Sequence, residues 1–335
     1  MGRTLCSCLL PVVLLLSGCI ETDIPPAGSY SEVLIVTEDG VRDPFAKALT
    51  PYLAQTLDYF VSSDIQFRPQ YARAVDVEEV PYVKNILFCG VANSVSDVGR
   101  KISSLLGAPG LERVRSGQAN VFRKDNLPGP GQVTMIVTAA TDEQLHEAIA
   151  ERGQNIADAL EESCRERLRK YLLKDRKKKL SQSLQQKYGF RIEVPSFYRL
   201  LSEEESPPGI ELLRDGPPRS LGIFWVEWQR PPTLDDRDAL FSIRSEYVYE
   251  RYDGDEMDRS RTRYSIDRLG ENYSVRMEGY WSNSKSLAGG YFKTYFLFDE
   301  TERLMWVVDL LVYAPGLEKH PHFRELHAIA ETFSY

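Results

Sequence analysis

The sequence predicts an α+β protein whose chain forms two domains joined by a long helix. In residues 31–140, short β-rich runs alternate with helical patterns, which is typical of an α/β domain. In residues 141–188, apolar residues recur at helical spacing behind a capping box, which predicts an amphipathic connecting helix. In residues 189–335, alternating strands, a long hairpin and a last helix predict an antiparallel sheet packed with helices. A chain of 335 residues is long enough for both domains.

Residues 1–18 are predicted to be an export signal that ends in a lipid attachment site. Arg3 precedes the apolar run Leu9–Leu16, which is too short to span a bilayer as a helix. The small residues Ser17 and Gly18 leave the thiol of the next residue, Cys19, accessible to processing enzymes.

Lipidation of Cys19 predicts that the mature chain is attached to a membrane, because several acyl chains hold a protein far more firmly than one. Residues 19–30 then form a polar, proline-containing tether. The expected location is the cell envelope, at the outer membrane on its periplasmic or surface side. An ordinary secretory signal, with Cys19 as an incidental cysteine, is the less favoured alternative.

The composition is that of an acidic globular protein, with a formal net charge of -8 and 42% hydrophobic residues. An acidic chain in an exported location argues against nucleic acid as a partner. Cys89 and Cys164 are the cysteines of the folded part, and we expect both to be small core residues. A disulfide between them is the alternative that an oxidising compartment leaves open.

Local signals predict the elements of the N-terminal domain. A β-rich run at Ser31–Thr37 is followed by Asp43 as N-cap and Pro44 as first residue of a helix through about Phe60. The remaining predicted elements are a buried strand at 84–91, a helix at 94–106 ended by Gly107, and strands at 120–123 and 132–139.

The connecting helix is predicted either as one long helix or as two helices in series. Thr141 and Gln144 belong to its capping box, and the helix ends at Gly189. Gly153 is a candidate kink, because a glycine inside a helix costs about 1 kcal/mol relative to alanine. The second half of the helix is rich in Arg and Lys. We predict a solvated basic face neutralised by neighbouring acids, with contact to anionic headgroups near the anchor as the alternative.

The C-terminal domain is predicted to be mostly strands. Its clearest signal is a hairpin that runs from Tyr291–Phe298 through a polar turn to Leu304–Ala314. A helix that starts at Pro321 is expected to cover the returning strand. The other predicted elements are strands at 190–195, 221–228, 246–252, 263–267 and 273–281, with a loop at 203–218.

Several motifs of the C-terminal sequence carry a resemblance to a known family. They are Val312-Tyr313-Ala314-Pro315, Phe323-Arg324-Glu325-Leu326, Glu278-Gly279-Tyr280-Trp281 and Gly289-Gly290. Together with the lipobox, the long helix and the Gly-Phe-x-Ile-x-Val-Pro strand, they resemble Bacteroidota lipoproteins that are grouped as domain of unknown function 4837. The resemblance covers nearly the whole mature chain. This family has no established activity, and the resemblance therefore implies no catalytic residue.

The order of elements in the second half is similar to that of PsbP proteins and their Mog-type relatives. The shared features are a strand ending in Val194-Pro195, a long hairpin and a last helix that ends at Phe333-Ser334. The resemblance implies an αβα sandwich, a fold used mostly by assembly and binding modules.

Aromatic residues next to a glycine-rich turn are the first candidates for contact with a ligand or partner. Trp225, Tyr280 and Trp281 lie on predicted strands, and Gly289 and Gly290 lie at the turn. Cross-strand core pairs are the favoured interpretation of these rings, and a platform for a sugar or a partner's side chains is the alternative.

Asp309 is the other candidate, because a lone carboxylate in an apolar strand must be paired, protonated or beside a cavity. We predict a structural ion pair with Lys293 or Arg276, and a functional role is the alternative. His320, His322 and His327 have poor spacing for a metal, so we predict no metal site. No hydrolase, nucleotide or dinucleotide motif is present, and neither catalytic residues nor cofactors are predicted.

These observations favour a non-catalytic, lipid-anchored envelope protein that binds a partner protein or a cell-wall component. One alternative is an envelope glycan hydrolase, which needs two carboxyl groups roughly 5 to 9.5 Å apart in a cleft. Another is a carrier of an apolar ligand, which needs a sizeable apolar pocket beneath the C-terminal sheet.

Overall fold

The computed structural model describes residues 28–59, 62–77, 83–205, 208–252 and 254–335. The predicted export signal and Cys19 lie outside these residues. The predicted α+β class is confirmed, since helices and strands contribute almost equally to the fold.

The N-terminal half contains a five-stranded sheet in the order β4-β1-β5-β7-β6. Its central pairings are parallel, and β6 adds an antiparallel edge strand. A separate two-stranded hairpin, β2–β3, projects from it. The strands are β1 (Glu32–Thr37), β2 (Thr56–Tyr59), β3 (Ser62–Ile65), β4 (Arg68–Arg73), β5 (Asn85–Val91), β6 (Val121–Asp125) and β7 (Val133–Ala139).

Helices cover both faces of this sheet. Helix α1 (Pro44–Leu53) and helix α3 (Asp142–Leu172) pack on one face, and helix α2 (Asp97–Arg115) packs on the other. The predicted caps are confirmed: Asp43 accepts the Phe45 N–H at 2.9 Å, and the Thr141 hydroxyl accepts the Gln144 N–H at 3.3 Å.

One predicted helix end in this half is wrong: helix α1 stops at Leu53 instead of Phe60, because the chain then turns into the β2–β3 hairpin. The end predicted at Gly107 is confirmed, because Gly107 has non-helical backbone angles, with a φ of 63° and a ψ of -179°. A second helical segment follows this kink and reaches Arg115, so α2 consists of two segments. Pro109 lies in the first turn of the second segment, where proline is tolerated.

The connecting region is two helices in series, α3 and then α4 (Lys178–Tyr188). The break lies after Leu172, so the kink predicted at Gly153 is wrong. Gly153 instead allows α1 to approach closely, since a Cβ there would lie 2.3 Å from a ring carbon of Tyr52. Helix α4 ends at Gly189, whose φ of 85° is left-handed.

The C-terminal half is built on an antiparallel sheet in the order β11-β13-β14-β15-β10-β9-β8, with β12 paired to β13. Helix α5 (Arg237–Arg251) packs on one face, and helix α6 (His320–Ala330) packs on the other. The strands are β8 (Arg199–Glu205), β9 (Pro208–Arg214), β10 (Arg219–Glu227), β11 (Glu256–Met257), β12 (Arg263–Leu269), β13 (Asn272–Asn283), β14 (Ala288–Asp299) and β15 (Leu304–Val312).

Three predictions for this half are wrong. Residues 190–195 alternate between buried and exposed, but they join the fold through isolated bridges rather than as a strand. Residues 203–218 hold most of the β8–β9 hairpin instead of a loop. Residues 246–251 belong to α5 and Tyr252 is its C-cap; the buried residues Leu240, Arg244 and Tyr247 recur at helical spacing.

None of the helices in the described part of the chain is long and apolar enough to cross a membrane.

Candidate ligand-binding cleft

A polar cleft of about 370 Å³ lies where the two halves of the chain meet. One wall is the hairpin β2–β3 together with α3, and the other is the sheet face of β12–β14 together with α6. Sites between structural units are common places for ligands. We therefore treat this cleft between the two halves as the candidate functional site.

Charged and aromatic side chains of β13 and β14 face the cleft because side chains alternate along a strand. Glu278 pairs directly with Lys293 across the two strands, and Arg276 pairs with Tyr295. The Lys293 Nζ lies 3.8 Å from a Glu278 oxygen, and Arg276 donates to Asp267 at 2.6 Å. The same sheet face thus carries charges of both signs.

Lys293 is the most unusual of these groups, because its side chain is only 21% exposed. Its ammonium lies 5.7 Å from the centre of the Tyr59 ring and 5.4 Å from that of Phe323. Burial lowers the pKa of Lys293, and the negative charge of Glu278 only partly opposes this shift.

Glu161 of α3 forms a bidentate ion pair with Arg324 of α6, which joins the two walls of the cleft. The two oxygen–nitrogen distances are 2.8 and 2.6 Å. Burial disfavours the ionised form of Glu161, but Arg324 outweighs that effect and holds the pKa of Glu161 well below its usual range. Arg324 also donates to the Ser31 hydroxyl at 3.0 Å, so this pair joins the two halves.

The hairpin β2–β3 closes the cleft from the N-terminal side. Asp58 accepts a hydrogen bond from the Tyr280 hydroxyl at 3.0 Å, and Asp64 accepts the backbone N–H groups of Lys319 and His320. The Tyr59 ring stacks on Phe323 with 5.4 Å between centroids. These contacts fix the hairpin at the start of α6.

The three histidines of α6 are not arranged as metal ligands. Burial lowers the pKa of His320 and of His327, which favours neutral imidazoles. Within the described ranges, no cluster of three or more His, Cys, Asp or Glu residues is placed to hold a metal ion.

Asp309 pairs with Arg244 of α5, so the predicted pairing with Lys293 or Arg276 is wrong. The two charge-assisted hydrogen bonds measure 2.8 and 2.9 Å, and both side chains are essentially unexposed. The reason is strand alternation: Thr294 is the residue of β14 opposite Asp309, whereas Lys293 is opposite Leu310 on the other face.

The predicted aromatic candidates do not share one surface. Tyr280 reaches Asp58 beside the cleft, whereas its neighbour Trp281 points to the opposite face of the sheet. Trp225 packs on Trp306 with 5.0 Å between ring centroids. The residues that do come together are Trp281 and Gly290, which are paired across β13 and β14.

Gly290 is needed for that packing, because a Cβ there would lie 2.6 Å from the Val312 carbonyl oxygen and 2.8 Å from the Trp281 indole nitrogen. Gly289 pairs with Ser282 at the same end of the hairpin. Trp281 also lines a second cavity, of about 360 Å³, on the α5 side of the sheet. Cys89 and Cys164 are both buried and both free thiols.

Sequence reasoning missed the cleft residues Glu161, Glu278 and Arg324, and it considered Lys293 only as a partner for Asp309. The available signal was the spacing of Arg276, Glu278, Lys293 and Tyr295, which places polar groups on one face of otherwise apolar strands. Glu161 of α3 and Arg324 of α6 reach the cleft only through tertiary packing, so no local sequence pattern indicates their position.

Comparison with known proteins gives a partial family match. The model of a family described as Domain of unknown function (DUF4837) matches residues 177–332. The predicted resemblance to a domain of unknown function is therefore confirmed for this region, which includes Glu278, Lys293 and Arg324 but not Glu161. A search of curated proteins found no match.

Among solved structures, the chain is similar to one titled "Crystal structure of LpqN involved in cell envelope biogenesis of Mycobacterium tuberculosis". The sequences are 14% identical, and the match covers 43% of this chain and 82% of that chain, with a TM-score of 0.28.

Proposed function

We propose that this chain is a lipid-anchored cell-envelope protein that binds a polar, hydroxyl-rich ligand of the glycan class in the cleft between its two halves. The observation that carries the proposal is the partly buried ammonium of Lys293, held between Glu278 and two aromatic rings in the cleft wall. A partly buried lysine opposes folding, because its charge is partly removed from water. Its presence at a cleft therefore points to use by a ligand.

The chemistry of the walls favours a glycan over other small ligands. Glu278 and Asp58 offer acceptors, and Lys293 and Arg276 offer donors. Mixed donors and acceptors suit the hydroxyl groups of a sugar.

The geometry supports binding better than it supports glycan hydrolysis. A glycosidase needs one carboxylic acid that stays protonated near neutral pH. Glu161 has the opposite property, because Arg324 outweighs the effect of burial and lowers its pKa. In this cleft, a carrier of apolar ligands is also less favoured, since charged side chains surround it.

Binding can be tested by calorimetry with soluble muropeptides and chitin oligosaccharides as probes. We expect Lys293→Met to weaken binding about tenfold or more, as for the loss of a charged hydrogen bond. Asp158→Ala, at the exposed rim on α3, should weaken binding without affecting the fold. Lys47→Met, an exposed lysine of α1, is the matched control. Equal affinities for the original chain and Lys293→Met, or no binding of either probe, would overturn the proposal.

The anchor is supported by the lipobox sequence Leu16-Ser17-Gly18-Cys19. We expect Cys19→Ala to abolish metabolic acyl labelling and to move the protein out of the membrane fraction. A variant that still labels with acyl chains and still sediments with membranes would show that Cys19 is not the attachment point.

A further inference from the structure

Another cavity, larger than the cleft and the cavity beside Trp281, lies beside the first described residues of the chain. It has a volume of about 780 Å³, and its walls include Tyr30, Lys84, Arg123, Arg167, Lys170 and Tyr171. The chain enters the fold here, because Lys84 donates a hydrogen bond to the carbonyl of Gly28. We refer to it as the tether cavity.

The tether cavity is strongly basic in an otherwise acidic protein. Four cationic side chains line it against one carboxylate, that of Asp125. Arg123 is neutralised by Asp125 and Glu166, at 2.8 and 2.6 Å. Arg167 is the cation of this cavity whose surroundings differ most from those of Arg123.

Arg167 is held by neutral oxygen atoms. It donates to the carbonyls of Lys84 at 2.8 Å, Gly131 at 3.2 Å and Ser163 at 3.1 Å, and also to the Asn85 side chain. Within the described part of the chain, no carboxylate forms an ion pair with it. Burial lowers its pKa. Its N–H groups are thus occupied by neutral acceptors, and Arg167 contributes a positive charge to the cavity that favours an anionic ligand.

The rim of the tether cavity has the composition of a membrane interface. Tyr171 is 69% exposed, and the adjacent Lys170 is exposed as well. Aromatic rings are enriched at the level of lipid headgroups, and lysines there are attracted to anionic lipids.

The length of the tether limits how far this cavity can be from the bilayer. Cys19 and Gly28 are nine residues apart, so even a fully extended tether reaches about 30 Å. A face next to the end of such a tether is the face that most readily meets the membrane.

Three arginines of the predicted basic face form ion pairs. Arg165 and Arg169 pair with Glu331, at 3.0 and 2.9 Å, and Arg176 pairs with Glu193 at 2.7 Å. Their partners are distant in the sequence, so the prediction that neighbouring acids neutralise these arginines is wrong. Arg167 and Lys170 differ because they line the tether cavity.

We propose that the tether cavity seats the protein on its membrane by binding the phosphate of an anionic phospholipid headgroup. This inference rests on the lipid anchor of the proposed function. Headgroup binding would add a second attachment point to the membrane. Two attachment points would determine the side of the protein that faces the lipid.

The test places residues 19–335 on vesicles through the thiol of Cys19 and a maleimide lipid. Cys89 and Cys164 are buried, so Cys19 is the expected point of coupling. The vesicles contain phosphatidylcholine alone or phosphatidylcholine and phosphatidylglycerol in equal parts. Amine-reactive labelling, read by mass spectrometry, then measures the exposure of Lys84, Lys170 and the reference residue Lys47.

We expect phosphatidylglycerol to slow labelling of Lys84 and Lys170 about fivefold, the effect of one favourable basic contact, and to leave Lys47 unchanged. High salt should reverse the protection. Lys170→Gln with Tyr171→Ser should abolish the protection of Lys84. The matched control is Arg237→Gln with Tyr249→Ser, which changes an exposed basic residue and an exposed tyrosine of α5 on the far side of the C-terminal sheet. This control should preserve the protection of Lys84.

Equal labelling of Lys170 on both vesicle types would overturn the inference, as would protection that persists in the Lys170→Gln, Tyr171→Ser chain. Because the coupling is chemical, the measurement does not depend on acylation in cells or on binding in the cleft. Loss of acyl labelling at Cys19 and loss of headgroup protection are therefore separate results.

Discussion

Arg244 and Asp309 show how much a single buried pair contributes to the C-terminal half. Both side chains are unexposed, and the Thr294 hydroxyl also donates to Asp309 at 2.5 Å. Removing one partner leaves the other charge buried and unpaired, which destabilises the fold. Replacing both partners with apolar residues leaves no buried charge and therefore avoids that cost.

We expect Asp309→Leu to lower the free energy of unfolding by about 3–5 kcal/mol. Arg244→Met combined with Asp309→Leu should recover most of that loss. Urea unfolding followed by tryptophan fluorescence measures both variants. Arg199→Met is the control, because its ion pair with Asp215 is exposed at the surface and should contribute less than about 1 kcal/mol. An Asp309→Leu chain as stable as this control would contradict the prediction.

For single residues, the sequence predicted that Asp309 would form an ion pair, but it did not predict the correct partner. The carboxylate in an apolar strand required a partner on physical grounds. Arg244 was not considered because the segment just after it was assigned to a strand, although the residue lies on α5. A wrong element therefore hid the correct partner.

Among the elements, helix α6 carries three of the four histidines of the chain. Burial lowers the pKa of His320 and of His327 below the ordinary value of 6.5, and it lowers that of His322 to about 4. In the unfolded chain these groups take up protons near pH 6.5, but in the folded chain they do not. Stability conferred by neutral histidines is therefore present above that pH and is lost as the pH falls below it.

We expect the free energy of unfolding to decrease between pH about 7.5 and about 5.5, with proton uptake on unfolding. His327→Gln should reduce that uptake by about one proton. His146→Gln, at an exposed position on α3, is the matched control and should leave the slope unchanged. Urea titrations at several pH values give the slope directly. A flat profile in the original chain would refute this account of α6.

Gly153 determines how closely α3 packs on α1. We expect Gly153→Ala to destabilise the protein by about 1–3 kcal/mol through overpacking against Tyr52, although alanine favours a helix by about 1 kcal/mol. Tyr52→Ala should be less harmful in the Gly153→Ala chain than alone. Gln154→Ala, at the next, exposed position, controls for helix propensity. Thermal unfolding followed by circular dichroism tests this prediction, which fails if Gly153→Ala raises the melting temperature.

The elements that the sequence predicted well are those with local signals. Asp43 and Thr141 cap their helices, and the long β14–β15 hairpin has a clear apolar pattern. The β2–β3 hairpin was missed because its strands have four residues each and include polar residues such as Asp58 and Asp64. Such short strands are specified by tertiary contacts rather than by their own periodicity.

For the whole molecule, the important feature is that charged contacts join the two halves around the cleft. Glu161 and Arg324 are 163 residues apart in the sequence, and Arg165 and Glu331 are 166 apart. No local pattern could predict these pairs. The same contacts that form the cleft should therefore make the two halves unfold together.

Arg324→Met tests this coupling, because it removes the Glu161 pair and the Ser31 hydrogen bond in one change. All four tryptophans lie in the C-terminal half, so fluorescence follows that half, while hydrogen exchange on β1, β5 and β7 follows the other. We expect the two probes to give one common transition in the original chain and two separate transitions in Arg324→Met. The N-terminal half should also lose stability, by about 3–5 kcal/mol, because Glu161 stays buried without its partner.

Arg100→Met is the control for a change of the same kind at the surface, since Arg100 pairs with Asp97 outside the interface and is 63% exposed. It should leave the transitions coincident. If the two unfolding transitions also coincide in Arg324→Met, then apolar packing of α3 on α6 is sufficient to couple the halves. In that case the ion pair acts only to shape the cleft. Two transitions would instead mean that Glu161 and Arg324 hold the cleft walls together, so that a ligand bound between them would stabilise both halves at once.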